Sequence, residues 1–321
     1  MSVNEWGQLR KVVVGVANNA RIPETDLSMR VVNYADQETV DAKVGFYPDH
    51  VIREMNEDLQ KLDKFLSDEG VEVVRPQWEP FPKSQYYQVC PRDSVFIHGD
   101  VALATPMPIR ARKNDYLGMR NLIPNLTVIS SDFDDSLYNL NCVGNKDILA
   151  LNETAPAFDA ANVLRANDDI LYLVSNSGNR RGAELLQTYV DARVSLLENV
   201  YSYMHIDSTI AFLREGLMLV HPGRIEDRSQ LPEAFRGWDI IKAPEPTDIG
   251  HYPGYCNASP WVNVNLLSVN ENLVVMEENQ HETRKVLERH GIECAMLPMR
   301  HARTMGGTFH CVTLDLERDV A

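Results

Sequence analysis

Residues 305 to 311 read MGGTFHC, two glycines and then a cysteine near the end of the chain. Gly-Gly allows a turn with φ > 0, or a close approach to the backbone, and such a turn can present Cys311 to a small molecule. A thiol attacks as its thiolate, so Cys311 needs a cationic neighbour and a base. His205, which leads HIDST, is the candidate imidazole, and Asp159, in FDAAN, can orient it and favour its charged form. Asp93 follows Pro91-Arg92, and Asp207 follows His205 by two positions. Residues i and i+2 of a strand share a face, which aims His205 and Asp207 into the same space. Two ionised carboxylates there match a guanidinium, which is planar and always charged. Taken singly, each residue also reads as ordinary structure: a loop thiol, a satisfied histidine, a turn aspartate, solvated acids at a sheet edge.

Bringing residues from such distant places together requires a particular architecture. Residues 52–76, IREMNEDLQKLDKFLSDEGVEVVRP, read as an amphipathic helix, a glycine that ends it, a short strand and a proline stop. Residues 282–298 repeat that order around Gly291, and residues 229–244 shorten it around Gly237. Two more helices are expected near 112–122 and 180–198, with strands near 126–130 and 199–203. Alternating with these are apolar hairpins that turn at Gly99-Asp100, Asn167-Asp168, Glu215-Gly216 and Asn270-Glu271. EWGQLRKVVVG and TFHCVTLDLERD, at opposite chain ends, look like the strands of one further unit.

About five ββαβ-like units at a spacing of roughly 50–60 residues point to radial repetition. No linker-like stretch divides the chain, so residues 1–321 are expected to form one α/β domain. A ring of such units gathers the mouths of the hairpins at a common axis. Those mouths carry Arg92-Asp93, Asp159, His205 and Asp207, Asn257 and Ser259, and His310-Cys311.

Composition narrows the function classes. The 321 residues carry a net charge of −15, which disfavours nucleic acid and anionic membranes as partners and suits a small cationic substrate. The five cysteines (Cys90, Cys142, Cys256, Cys294, Cys311) are odd in number and form no CxxC pair, so they indicate neither a zinc site nor a disulfide framework. Free thiols and an opening segment without an apolar or Arg-rich leader give the expectation of a cytoplasmic protein.

Seven segments, in order, carry a resemblance: NEWGQLRKVVVG (4–15), DEGVEVVRP (68–76), PRDSVFIHGD (91–100), FDAANVLRANDDI (158–170), MHIDST (204–209), HPGR (221–224) and MGGTFHC (305–311). With them the chain resembles the amidinotransferases, the glycine amidinotransferase family. The resemblance implies a five-bladed α/β propeller with pseudo-fivefold symmetry. It also implies transfer of the amidino group of L-arginine to an amine, glycine or another, through an amidino-cysteine, with release of ornithine. It casts Cys311 as nucleophile, His205 as general acid/base and Asp159 as the carboxylate paired with His205. Asp93 and Asp207 clamp the donor guanidinium, Arg224 and Ser259 take its α-carboxylate, and Met204 supplies a backbone contact.

Two positions depart from the family pattern. Ala258 stands where relatives often have a second serine, and Asn162 where many have an acid; both bear on the substrates rather than on the reaction. No metal or organic cofactor has a task in this chemistry, and relatives are often dimers. Loops 17–48, 105–115 and 245–258 are expected to shape the acceptor pocket; Arg110 and Arg112 are placed to meet an anionic group, with a solvated basic face as the favoured reading of the two. Two other functions fit the same residues: an arginine deiminase or dihydrolase, giving citrulline and ammonia, and a non-catalytic arginine-binding protein.

Overall fold

Val12, Val13 and Val14 are all fully buried, yet they enter two different cores. Val12 and Val14 pack with Leu267, Val269 and Val275, while Val13 packs with Val95, Ile97 and Ala102. A strand points successive side chains to opposite faces, so a strand that is apolar at every position must have a neighbouring sheet on each side. The same alternation recurs around the molecule. Phe96 and Val163 share one cluster, Leu164 and Phe212 a second, and Ala211 and Leu266 a third.

A computed structural model describes residues 2–37, 43–77, 89–201, 203–255 and 257–320. It contains five three-stranded sheets of one design. In each, an antiparallel hairpin is joined by a third strand parallel to its second strand. The sheets comprise Val95–His98, Val101–Ala104 and Thr127–Val128; Val163–Ala166, Asp169–Leu173 and Arg193–Leu197; Ile210–Arg214, Leu217–Val220 and Asp239–Lys242; and Leu267–Asn270, Leu273–Glu277 and Glu293–Leu297. The remaining sheet is built from both chain ends. Leu9–Val14 pairs antiparallel with Thr313–Arg318 and parallel with Glu72–Val74. Parallel pairing needs a crossover, and helices Asp49–Asp68, Arg180–Gln187 and His281–Arg289 supply three of the five.

The innermost strand of each sheet, or the turn that leads into it, touches the next sheet, and the last touches the first, so the ring closes. The protein is a five-bladed α/β propeller whose apolar core is divided into five clusters between adjacent blades.

Three expected helices differ. The short helix expected within 229–244 is a pair of 3-10 turns, Arg228–Gln230 and Glu233–Phe235, separated by Pro232. Residues 112–122 form 3-10 turns, Arg110–Arg112 and Asp115–Met119. Asn114, Asp115 and Gly118 are poor interior helix residues, and the Arg112 and Asp115 side chains bond each other instead. The helix expected over 180–198 stops at Gln187, where Thr188 Oγ1 donates back to Leu185 O at 2.7 Å. Its strand therefore starts earlier than expected, at Arg193. The last hairpin turns at Glu271-Asn272, one residue later than the expected position, because Asn270 pairs with Leu273.

Charged groups fill the axis beneath the hairpin mouths. Glu5 receives Arg165 in a fork, at 2.8 and 2.9 Å. Asp315 receives Arg318 Nε at 2.8 Å and also pairs with Arg92 and Arg165. The three guanidiniums also reach across blades, Arg92 to Thr313 O at 3.0 Å, Arg165 to Ile97 O at 3.0 Å and Arg318 to Ser268 O at 2.8 Å. Burying ions costs several kcal/mol each unless they are paired. Every acid here faces at least one arginine, and these arginines stitch the blades together.

Candidate active site

Each blade delivers polar residues just before its innermost strand begins. Asp93 closes the turn Pro91–Asp93 ahead of Val95, and Asp159 opens the turn Ala160–Asn162 ahead of Val163. His205 opens the turn Ile206–Ser208, which contains Asp207, ahead of Ile210. Asn265 lies just ahead of Leu267, and Cys311 just ahead of Thr313. Asp159 and His205 sit at cap positions without capping their own turns, which leaves both side chains for the site.

Cys311, His205, Asp93, Asp207, Arg224, Ser259 and Met204 all border one cavity of about 130 Å³. Asp159 is fully buried behind His205, its Oδ2 2.8 Å from His205 Nε2. Asp93 Oδ1 stands 3.7 Å from His205 Nδ1 and accepts no hydrogen bond among the described residues. The Cys311 thiol donates to Asp207 Oδ2 at 3.1 Å, and the same oxygen lies 3.0 Å from His310 Nδ1.

The two glycines have separate tasks. Gly306, at φ +114, ends the short helix Ala302–Met305 in a left-handed conformation. Gly307 makes room for the Cys311 thiol, since a Cβ there would lie 2.4 Å from Cys311 Sγ.

The charges are mutually adjusted. Burial opposes a charge on His205, but Asp93, Asp159 and Asp207 outweigh it and raise the imidazole to about 9. Burial likewise pushes the Asp159 carboxyl up, and the His205 imidazolium offsets this only in part. Burial acts on Asp207 too, yet His310 and His205 bring it below the usual carboxylate range. The neighbouring Cys90 thiol, burial and Asp207 all raise the Cys311 thiol well above its ordinary value. These shifts favour a neutral Cys311 thiol beside a protonated His205.

Arg224 borders the same cavity, donating to Ser208 Oγ at 2.9 Å and Thr209 Oγ1 at 2.8 Å. Burial lowers it to about 10, which leaves it cationic at neutral pH. Ser259 Oγ accepts from Trp261 N at 3.2 Å, and the Met204 carbonyl accepts from Ser175 Oγ.

Arg110 and Arg112 do not form a solvated basic face. Arg112 is buried at the cavity wall with Nη1 2.7 Å from Asp93 Oδ2, and Arg110 pairs with Asp135 at 2.6 Å. Two residues escaped the sequence reading. Asn265 Nδ2 donates to Cys311 Sγ at 3.0 Å, and Arg112 holds the outer oxygen of Asp93. The sequence reading put Asn257 and Ser259 at this mouth, but they lie ten and eight residues before the strand that starts at Leu267, and Asn265 holds the place before its strand that Asp93 and Cys311 hold. Of the acceptor loops, residues 38–42 and Cys256 lie outside the described residues.

No protein-family model matches the chain. Individual proteins do. Inosamine-phosphate amidinotransferase 1 of Streptomyces glaucescens is 36% identical over 339 aligned residues, covering 98% of this chain and 95% of that one. The chain belongs to the amidinotransferase family. The L-arginine:L-lysine amidinotransferase of Pseudomonas savastanoi pv. phaseolicola is 29% identical across 99% of this chain and 94% of its own. Among solved structures, the inosamine-phosphate amidinotransferase STRB1 of Streptomyces griseus superposes with a TM-score of 0.93 at 36% identity, covering 100% and 97% of the two chains.

Within this amidinotransferase the departure at Asn162 has a structural explanation. Its amide donates to Leu173 O and Ser175 Oγ, both at 2.9 Å, and accepts from Ser177 Oγ at 2.8 Å. An ionised acid could make only the last of these bonds. Ser175 in turn holds the Met204 carbonyl, so Asn162 supports the segment that carries His205. Ala258 lines the cavity beside Ser259 and presents a methyl group where a hydroxyl was expected.

Proposed function

We propose that the chain, residues 1–321 acting as one unit, moves the amidino group of L-arginine to an acceptor amine through a covalent Cys311 intermediate. The observation that carries this reading is the meeting of a thiol, an imidazole and two carboxylates at one cavity that Arg224 also lines.

Arginine enters with its guanidinium between Asp93 and Asp207 and its carboxylate toward Arg224 and Ser259, while the Met204 backbone borders the donor. The added cation reverses the local electrostatics, and the Cys311 proton leaves to solvent. The thiolate attacks the guanidino carbon. The His205 imidazolium, raised to about 9 and so already protonated, gives its proton to the departing nitrogen, and ornithine leaves. Neutral His205, held by Asp159, is then the base for the second half. It takes a proton from the acceptor amine as that amine attacks the amidino-cysteine, and the thiolate is released. One proton given and one taken leave His205 as it began, and two displacements in sequence give ping-pong kinetics.

The acceptor is an amine. One relative is named for inosamine phosphate and another for L-lysine, so an aminocyclitol phosphate, lysine and glycine form the first panel. In the test, arginine alone releases at most one equivalent of ornithine per site and leaves an amidino adduct on Cys311 detected by mass spectrometry, while continued ornithine release requires an added amine. Cys311→Ala binds arginine without turnover. Steady citrulline from arginine alone assigns hydrolysis instead, and turnover by Cys311→Ala ends the proposal.

A further inference from the structure

Four of the five hairpin mouths bring an acid or the nucleophile to the axis: Asp93, Asp159, Asp207 and Cys311. The fifth brings a neutral amide, Asn265, and it is the one that sits 3.0 Å from the sulfur. Its orientation follows from its partners. The backbone N–H groups of Thr308 and Cys311 point at Oδ1, at 3.0 and 3.3 Å, so the oxygen end faces the loop. The other end, which faces Sγ, is then the NH₂ group and can only donate. Asn265 is buried, 5% exposed, in a low-dielectric wall where a hydrogen bond to a charged atom is strengthened.

We propose that Asn265 is a catalytic residue whose amide N–H stabilises the Cys311 thiolate. This rests on the reading of Cys311 as nucleophile. In the ligand-free site the sulfur accepts from Asn265 and donates to Asp207. Once the thiol proton is lost, the bond to Asp207 becomes a repulsion that the substrate cation must screen, while the bond from Asn265 gains strength. A carboxylate at this position, following the pattern of the other mouths, would put a second anion against the sulfur. The amide keeps the register of the repeat and reverses its electrostatic sign at the one place where the thiolate requires it. The same side chain fixes the turn 306–311 through its oxygen, so a purely structural role is the competing explanation.

The two roles separate in Asn265→Asp. One carboxylate oxygen still accepts from the Thr308 and Cys311 amides, while the other replaces the donor facing Sγ. The readout is the pH profile of Cys311 alkylation by iodoacetamide, followed peptide by peptide, with melting temperature as the control for folding. It needs no substrate, so it stands apart from the fate of the arginine-transfer reading. The profile shifts to higher pH, and alkylation at a fixed neutral pH falls at least tenfold, in Asn265→Asp. In Asn265→Ala, which adds no charge, the shift has the same sign and is smaller. If Asn265→Asp does not fold, Asn265→Ala decides. A folded variant whose Cys311 profile coincides with that of the unmodified protein overturns the proposal.

Discussion

Replacing Asp159 by Asn isolates what the buried carboxylate does to His205. Its Oδ2 lies 2.8 Å from His205 Nε2, it is fully buried, and Asp93 and Asp207 remain after the change. A carboxylate in contact typically moves a partner by about 1–3 units. With two other acids sharing the work, the loss here is about 1–2 units, or about 1.4–3 kcal/mol. In the unmodified protein His205 rises from 6.5 to about 9, so folding takes up a proton. That coupling contributes about 3 kcal/mol. It is fully present below 6.5 and is lost as the pH rises through 9. In Asp159→Asn the loss is complete at about 7–8, because the folded-state value sits closer to the unfolded one. Ring resonances followed by NMR, with His205→Gln to assign the signal among nine histidines, measure the shift directly. Urea unfolding across the same pH range measures its energy. Should His205 titrate in the variant where it does in the parent, Asp159 is a structural neighbour and the account of the imidazolium is wrong.

Other changes probe separate parts of the site. Gly307→Ala forces a Cβ to within 2.4 Å of Cys311 Sγ at φ +150, where side chains are strained. Turnover should fall by about 100-fold or more, with a stability cost of about 1–3 kcal/mol, and parental turnover would show that the sulfur has room to move. Asp93→Asn removes one side of the guanidinium clamp. Breaking a buried charge pair costs about 3–5 kcal/mol, so kcat/KM for arginine should drop by about 100-fold or more, and an unchanged value contradicts the clamp. Glu5→Gln leaves the fork of Arg165 facing a neutral amide beneath the site. The urea midpoint at neutral pH should fall by the equivalent of about 3 kcal/mol, and an unchanged midpoint would mean that Asp315 alone satisfies the arginines.

Much of the ring was readable because most inner-strand positions are apolar and the strands are bounded by turn residues, as in VFIHGDVALA and TIAFLREGLMLV. The repeat also located the mouths and with them Asp93, Asp159, His205, Asp207 and Cys311. The residues that escaped notice are those whose meaning depends on a partner from another blade. Arg165 and Asp315 interrupt apolar strands, in NVLRA and TLDLE, and read alone they are isolated charges. Only across the axis do they become an ion pair with Glu5 beside them. Arg112 fails for a similar reason. Its neighbours Arg110, Lys113 and Asn114 suggest solvent, and its burial follows from Asp93, which lies in a different segment. The helix expected over 112–122 was misjudged on the same grounds, since Arg112 bonds Asp115 and Asp93 where a regular helix would turn its face outward.

Cys311 belongs to the one blade that neither chain end can complete alone. Thr313–Arg318 finds its antiparallel partner only in Leu9–Val14, and Ser2 Oγ donates to Asp315 Oδ2 at 2.8 Å. Arg318 bonds Gly7 O at 2.7 Å and Ser268 O at 2.8 Å, tying the last strand to the first segment and to the neighbouring blade. Cys311 therefore stands at the start of the strand that closes the ring. Four blades form their inner pairs from neighbouring segments, whereas the strand behind Cys311 pairs across nearly the whole sequence. The place of the sulfur beside Asp207 and Asn265 thus depends on the same pairing that closes the propeller. The axial ions reinforce the coupling, because Arg92, which precedes Asp93, reaches Thr313 O and Asp315 in the strand that follows Cys311. The strand that closes the propeller is also the strand that carries Cys311 to the site, so a change that weakens its pairing with Leu9–Val14 disturbs both.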